Sequence, residues 1–166
     1  MLIGLTFDLK TTYLARGYSP EEVAEFDCEE TIDAIKSACE EMGHQVDKIG
    51  SLDDLLPRVM NGDKWDLVFN IAEGLHGIGR EAQVPAILDA YQIPYTFSKT
   101  ETLAVALDKG LTNAIMRGLQ IPVADFSVVR TPDDIDQVHI PFPLFAKPIA
   151  EGTSKGISAH SVMQNK

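Results

Sequence analysis

The strongest constraint on the fold is a regular alternation of strand-like and helix-like segments in the first part of the chain. Apolar, β-rich runs at 2–7, 45–49 and 65–70 are separated by helical patterns at 27–42 and 52–61. Parallel strands need a long crossover between them, which a helix provides. The alternation therefore predicts an α/β fold, a parallel sheet with helices on both faces, whose ligands bind beyond the carboxyl ends of the strands.

The segments around this core are predicted as follows. The polar stretch from residue 8 through 22 favours an exposed loop, and helix Glu81–Tyr91 followed by a short strand at 91–98 completes a first domain, 1–98. A second domain, 99–166, opens with helical patterns. Its later β-rich pieces, 126–129 and 143–148, predict a small antiparallel sheet and an α+β subdomain.

The charge balance argues against a nucleic-acid or membrane partner. The chain has 25 acidic and 14 basic residues, a net charge of −11, which repels polyanions and anionic membrane surfaces. The excess is concentrated in residues 1–99, with 18 acids and 8 bases, whereas residues 100–166 hold 7 acids and 6 bases. We expect any anion to bind in the second part.

Cysteine content and the amino terminus indicate a cytoplasmic protein. Cys28 and Cys39, the two cysteines of the chain, fall in one predicted helix roughly 16 Å apart, too far for a disulfide. Unpaired thiols suit a reducing compartment. The first residues lack the basic flank and the length of a signal peptide.

A glycine-rich loop after the third predicted strand is the first candidate site. Residues 70–81 contain three glycines together with Glu73, His76 and Glu81, directly before a helix. Glycines allow close approach of the backbone to a ligand, and a helix N-terminus favours an anionic group such as a substrate carboxylate. A flexible polar loop is the alternative.

A second candidate site follows the strand that ends at Lys147. Gly152 and Gly156 flank hydroxyl side chains, and Lys147 and Lys155 add positive charge, a composition suited to phosphate. The spacing is not that of a Walker A motif, and the segment joins strands instead of opening a helix. An ordinary hairpin loop is the alternative.

Three stretches, in order, resemble the D-alanine–D-alanine ligase family. Residues 79–109 resemble, without a gap, the family segment that ends in Met-Asp-Lys, here Leu107-Asp108-Lys109. Gly118–Val123 resembles its "G-L/I-P-V" segment with one residue inserted. Ala146–Gly156 resembles its "V-K-P-x-x-E-G-S-S-x-G" run.

The resemblance implies an ATP-grasp ligase with a Rossmann-like first domain and an incomplete ATP-grasp subdomain. Such enzymes use ATP and Mg²⁺ to phosphorylate a substrate carboxylate, and an amine then attacks the acyl phosphate to form an amide. Lys109 and Lys147 match family lysines that contact the phosphates. Thr153 and Ser154 take the place of catalytic residues in the lid loop over them, and the further ATP-binding residues implied are Glu151, Gly152, Ser154, Lys155 and Gly156.

The substrate side departs from the family pattern. The family's Gly-Gly-x-Ser-x-Glu segment is missing, and Glu25 is a candidate replacement for its glutamate, although an acid before a helix also suits the helix dipole. The His-Gly motif is one residue shorter, and Thr153 replaces a serine. The implied amino-acid pocket is therefore formed by Glu25, Glu73, His76 and Gly77, with D-alanine, another amino acid or a peptide as substrate.

The resemblance also sets expectations for the rest of the enzyme. Family magnesium ligands lie downstream of residue 166, so no metal site is predicted in this chain, and isolated catalysis is not expected. A role in cell-wall peptidoglycan synthesis is implied. We expect self-association, as a dimer, through an uncovered face of the second domain. The competing interpretation is a non-catalytic, flavodoxin-like binding module.

Overall fold

A three-stranded parallel sheet forms the centre of the first of two units in the computed structural model, which describes residues 1–165. The strands are β1 (Leu2–Thr6), β2 (Gln45–Gly50) and β3 (Leu67–Asn70), in the order β2-β1-β3. The central strand β1 pairs in parallel with both neighbours. The predicted α/β class is therefore confirmed.

The helices of the two units are α1 (Lys10–Ala15), α2 (Glu29–Glu41), α3 (Leu52–Met60), α4 (Gln83–Ala90), α5 (Thr100–Ala106) and α6 (Lys109–Gly118). Helices α2, α3 and α4 pack against this sheet, and each lies in a segment where the sequence predicts a helix. The chain moves from β1 to β2 through α2, and then back past β1 to β3 through α3. Right-handed crossovers in opposite directions place α2 and α3 on opposite faces of the sheet.

Two apolar clusters fill these faces. On one face, Ile32 of α2 packs with Leu5 of β1. On the other, Leu55 of α3 and Leu88 of α4 pack with Val68 of β3, and all three are 0% exposed. The sheet is thus buried on both sides, and its carboxyl edge is the place where loops can gather around a ligand.

The prediction of an exposed loop over residues 8–22 was wrong where α1 forms. Helix α1 carries Tyr13, which is buried with Val23 and Phe26 in a third apolar cluster. The ring centroids of Tyr13 and Phe26 lie 4.6 Å apart. The cluster joins α1 to the turns that follow it, so no single helix or strand period runs through its members.

Two strand predictions were also wrong. Residues 126–129 form no strand, and the antiparallel pair is β4 (Leu144–Phe145) with β5 (Val162–Met163). Residues 91–98 form only an isolated bridge, between Tyr95 and Val68. Phe126 instead lies under the guanidinium of Arg117, 4.6 Å from its carbon to the ring centroid, so a cation–π contact replaces strand pairing there.

The division of the chain falls between Ala104 and Val105. The second unit, from Val105 onwards, buries few large apolar side chains: among its described residues, Leu107 and Ala150 are the buried hydrophobic ones. Apolar side chains of α6 and of β4–β5 remain exposed, including Leu111, Ile115, Phe145 and Met163.

Cys28 and Cys39 are free thiols, as predicted. In residues 1–165 no helix has the length and hydrophobicity needed to cross a bilayer.

Truncation of Leu88 tests the assignment of the first-unit core. Leu88→Ala removes a 0% exposed side chain, and we expect it to lower the free energy of unfolding by about 2–5 kcal/mol. Leu56→Ala, at a position 39% exposed on α3, is the matched control and should cost under about 1 kcal/mol. Urea unfolding followed by the fluorescence of Trp65 measures both, and equal losses would contradict the assignment.

Candidate functional site

The carboxyl edge of the sheet is organised by Asp8, which follows β1 and is 3% exposed. One carboxylate oxygen accepts the backbone N–H groups of Glu73, at 3.0 Å, and Gly74, at 2.9 Å. The other oxygen accepts the Tyr13 hydroxyl at 2.7 Å. Asp8 therefore ties the end of β1 to the glycine-rich loop that follows β3.

Asn70 fixes the start of the same loop. Its side-chain oxygen accepts the Thr6 hydroxyl at 2.8 Å and the N–H of Ala72 at 3.3 Å. Its backbone N–H donates to the Thr96 hydroxyl at 3.1 Å. Buried polar groups satisfied in this way hold the chain in one conformation as it leaves β3.

Gly74 and Gly77 shape the middle of the loop. Gly74 has φ +69°, and a Cβ atom at this position would lie 2.8 Å from the carbonyl oxygen of Arg80. The loop thus folds back onto the 3₁₀ helix Arg80–Ala82 that precedes α4. Gly77, with φ +91°, has open space around it, so its backbone is accessible from one side.

A buried ion pair links the glycine-rich loop to a residue that lies before α2. A guanidinium nitrogen of Arg80 lies 2.7 Å from a carboxylate oxygen of Glu25, and the two side chains are 8% and 5% exposed. The structure thus brings Glu25 to the loop that carries Glu73, as a partner of Arg80. Neither Asp8 nor Arg80 is predicted from the sequence; an arginine beside a glycine loop, 55 positions from its acid, gives no local signal.

Glu73 lies in a strongly acidic environment. Burial, followed by repulsion from Glu81 and Glu25, raises its pKa from the ordinary 4.5 to about 7, against an opposing effect of Arg80. Negative charge from Glu81, Glu25 and Asp27 thus acts on Glu73, and positive charge from Arg80 opposes it. This charge balance favours a cationic group of a substrate over the carboxylate expected from the helix N-terminus.

His76 takes a different position from the acids. Its ring centroid lies 6.4 Å from that of Tyr18, and its backbone oxygen accepts a hydrogen bond from the side chain of Gln83 at 3.0 Å. The imidazole therefore lies beside the aromatic cluster of Tyr13, Val23 and Phe26, on the same loop as Glu73.

The second unit contains a separate cationic site. The N–H of Lys109, at the start of α6, donates to the oxygen of Ile149 at 2.9 Å, and its ammonium donates to the backbone oxygen of Glu151 at 2.5 Å. The ammonium of Lys155 lies 3.1 Å from the Glu151 carboxylate. Lys109 and Lys155, 46 positions apart by number, thus meet at Glu151.

A strained turn lies between Glu151 and Lys155. Thr153 and Ser154 have φ of +46° and +60°, and the N–H of Lys155 donates to the oxygen of Gly152 at 2.8 Å. This is the pattern of a type I′ turn, which normally uses Asn and Gly. A β-branched residue in the left-handed region is unusual and is found most often where function requires it. Both side chains are exposed.

Lys147 lies beside this turn but does not join the two other lysines. Its ammonium is 5.4 Å from the centroid of the Phe145 ring, and the residue is exposed. The next residue, Pro148, packs against Gly156, whose added Cβ would lie 2.8 Å from the proline ring. The backbone of Lys147 is therefore adjacent to the turn, while its side chain extends over an aromatic ring.

The described residues offer no ready metal centre. Within residues 1–165, no group of three or more His, Cys, Asp or Glu side chains is arranged to hold a metal ion. The magnesium ligands implied by the resemblance stay a prediction.

The chain is similar in sequence to bacterial D-alanine–D-alanine ligases, although no family model matches it. It is 32% identical over 153 residues to the ligase of Gluconobacter oxydans, a match that covers 90% of this chain and 48% of the relative. It is 34% identical over 137 residues to that of Fervidobacterium nodosum, covering 74% and 42%. The chain therefore spans about half the length of the curated relatives it matches.

Solved structures show the same fold. The chain superposes on the D-alanine–D-alanine ligase from Bacillus anthracis with a TM-score of 0.53 and 21% identity, covering 96% of this chain and 52% of that one. The same ligase complexed with ATP gives a TM-score of 0.56 at 18% identity, with coverages of 100% and 51%.

Glu73 predicts a defined dependence of stability on pH. Because its pKa is raised in the folded state, the folded protein binds a proton more tightly than the unfolded chain between about pH 4.5 and 7. Stability from this group is present below that window and is lost as the pH rises through it. Glu73→Gln should therefore gain stability relative to the wild type between pH 4.5 and 7.5.

The measurement is urea unfolding of both proteins across this range. Glu41→Gln, at an exposed position at the end of α2, is the matched control and should give a constant difference from the wild type. A constant difference for Glu73→Gln as well would show that the carboxyl group is not perturbed.

Proposed function

The chain is related to an N-terminal part of the D-alanine–D-alanine ligases, and we propose on that premise that it serves an ATP-dependent ligase joining a carboxylate to an amine. The second unit binds the phosphates of ATP, and the first unit binds an amino-acid substrate. The bond formed is an amide, by attack of the amine on an acyl phosphate.

The observation that carries the proposal is the convergence of Lys109 and Lys155 on Glu151, beside an exposed turn. Two ammonium groups contact one residue, at 2.5 and 3.1 Å. Thr153 and Ser154 present exposed hydroxyl groups next to them. Hydroxyl donors, turn N–H groups and compact positive charge at one place fit a polyphosphate, so the donor set present here suits ATP.

The tasks of the site are electrostatic. Lys109, Lys147 and Lys155 neutralise phosphate charge, and the hydroxyl groups of Thr153 and Ser154 orient the transferred phosphoryl group. Lys147 reaches the phosphates by leaving the Phe145 ring, a contact that costs little to break at an exposed site. Gly152 and Gly156 let the turn approach the nucleotide. Before the nucleotide binds, Glu151 holds the ammonium groups of Lys109 and Lys155 in place.

The amino-acid substrate binds at the acidic loop of the first unit in this proposal. Glu25, Glu73, His76 and Gly77 are the residues assigned to it. The excess of carboxylates over the one guanidinium favours the ammonium group of an amino acid or of a peptide, with D-alanine as the first candidate. Mg²⁺, peptidoglycan synthesis, a cytoplasmic location and a homodimer complete the proposal by analogy with the relatives.

A non-catalytic binding module is the second candidate. The exposed apolar side chains of the second unit, among them Leu111, Ile115 and Phe145, favour it, because such surface commonly marks a binding face. The module requires no nucleotide, so binding of ATP separates the two candidates.

Lysine substitutions test the nucleotide site. Lys109→Ala and Lys155→Ala each remove a charge-assisted contact worth about 1.5–3 kcal/mol, so the Kd for Mg-ATP should rise roughly tenfold or more. Lys147→Ala should have the same direction of effect. Isothermal titration calorimetry of the 166-residue chain measures each Kd.

Lys99→Ala, which removes an exposed lysine from the first unit, is the control and should leave the Kd unchanged. If Lys99→Ala weakens ATP binding as much as Lys109→Ala does, the loss reflects the net charge of the protein, and the assignment of the nucleotide site to Lys109 and Lys155 is wrong. Absence of any ATP binding by the wild type would favour the non-catalytic module.

A further inference from the structure

The glycine-rich loop of the first unit already encloses an anion, which is the carboxylate of Asp8. The N–H groups of Glu73 and Gly74 are consecutive and both point to the same Asp8 oxygen, at 3.0 and 2.9 Å. Successive N–H groups of this kind, with a left-handed residue such as Gly74, form an anion-binding concavity. The protein fills that concavity itself, so these amides are not available to a substrate carboxylate.

The other oxygen of Asp8 extends the same network to the aromatic cluster. It accepts the hydroxyl of Tyr13 at 2.7 Å. Tyr13 packs with Val23 and Phe26, and Leu75 of the glycine-rich loop packs against that cluster. The loop is therefore attached to Asp8 directly through two amides and indirectly through Tyr13.

Asp8 is suited to position the loop and not to bind a ligand. It is 3% exposed, and both of its oxygens are hydrogen-bonded within the protein. Its bonds are charge-assisted and buried, which makes them stronger than neutral ones. They fix the backbone at Glu73 and at Gly74, two positions before His76. Glu73 and His76 are side chains that the proposed amino-acid pocket uses.

We propose that Asp8 is a positioning residue that holds the loop of Glu73 and His76 in its binding conformation without touching the substrate. The part of this inference that concerns substrate rests on the proposed function. The statement that the Asp8 carboxylate fixes the loop depends only on the hydrogen bonds described above. An isosteric change at Asp8 therefore loosens this loop selectively and leaves the sheet intact.

Asp8→Asn is the informative variant. The amide keeps the shape of the side chain, and its oxygen can still face the loop amides while its NH2 group donates to the Tyr13 hydroxyl. It has no charge, however, so the two loop bonds lose their charge-assisted strength, which is about half of their total. We expect amide hydrogen exchange at Glu73 and Gly74 to accelerate roughly tenfold or more. Exchange in β1 and β3 should stay as in the wild type.

Tyr13→Phe is the matched control, because it removes the hydroxyl bonded to Asp8 and leaves both loop bonds in place. Exchange at Glu73 and Gly74 should then remain slow. Amide exchange is measured by two-dimensional NMR on the 166-residue chain. Slow exchange at both amides in Asp8→Asn would overturn the inference, and so would equal acceleration throughout the first unit, which indicates a general loss of stability.

A second measurement separates this inference from the proposed function. D-alanine is titrated into the wild type and Asp8→Asn, and the amide shifts of residues 71–81 are followed. Saturable shifts in the wild type that require roughly tenfold more D-alanine in the variant support both statements. If exchange at Glu73 and Gly74 accelerates selectively in Asp8→Asn but D-alanine shifts no amide in either protein, the positioning role of Asp8 is supported and D-alanine is not the substrate. Equal D-alanine affinity in both proteins overturns the role of Asp8 in substrate binding.

Discussion

The placement of β1 between two parallel neighbours determines the rest of the first unit. Hydrogen bonding on both edges brings the end of β1 next to the end of β3, so that Asp8 and Glu73 meet although they are 65 positions apart. The buried carboxylate then fixes the glycine-rich loop, and the loop carries the acidic cluster. The pairing of β1 with β3 thus places Asp8 beside the glycine-rich loop, and the loop in turn places the acidic side chains.

The two candidate sites are opposite in charge. In the first unit, Arg80 pairs with Glu25, and the pKa of Glu73 is raised by burial and by repulsion from Glu81 and Glu25. In the second unit, Lys109 and Lys155 meet at Glu151. The proposed function requires one site for the ammonium group of a substrate and one for the phosphates of a nucleotide, and the charges of the two candidate sites agree with that proposal.

The sequence predicts features that depend on local spacing and misses those that depend on distant contacts. The periodic runs locate α2, β2 and α3, and the glycines locate both loops, because periodicity and backbone freedom are local properties. The bonds of Asp8 to the loop amides and the pairing of Arg80 with Glu25 join residues 55 or more positions apart. The buried cluster around Tyr13 has no periodic signal, and the expected strand at 126–129 gives way to a contact of Phe126 with Arg117.

The most direct test of the account is a map of ligand binding by two-dimensional amide NMR on the labelled chain, with Mg-ATP and an amino acid added in separate titrations. We expect Mg-ATP to shift the amides of Lys109, Lys147 and residues 151–156, and the amino acid to shift those of residues 71–81. ATP shifts centred in residues 71–81, or an unchanged turn at 151–156 at saturating ATP, would contradict it.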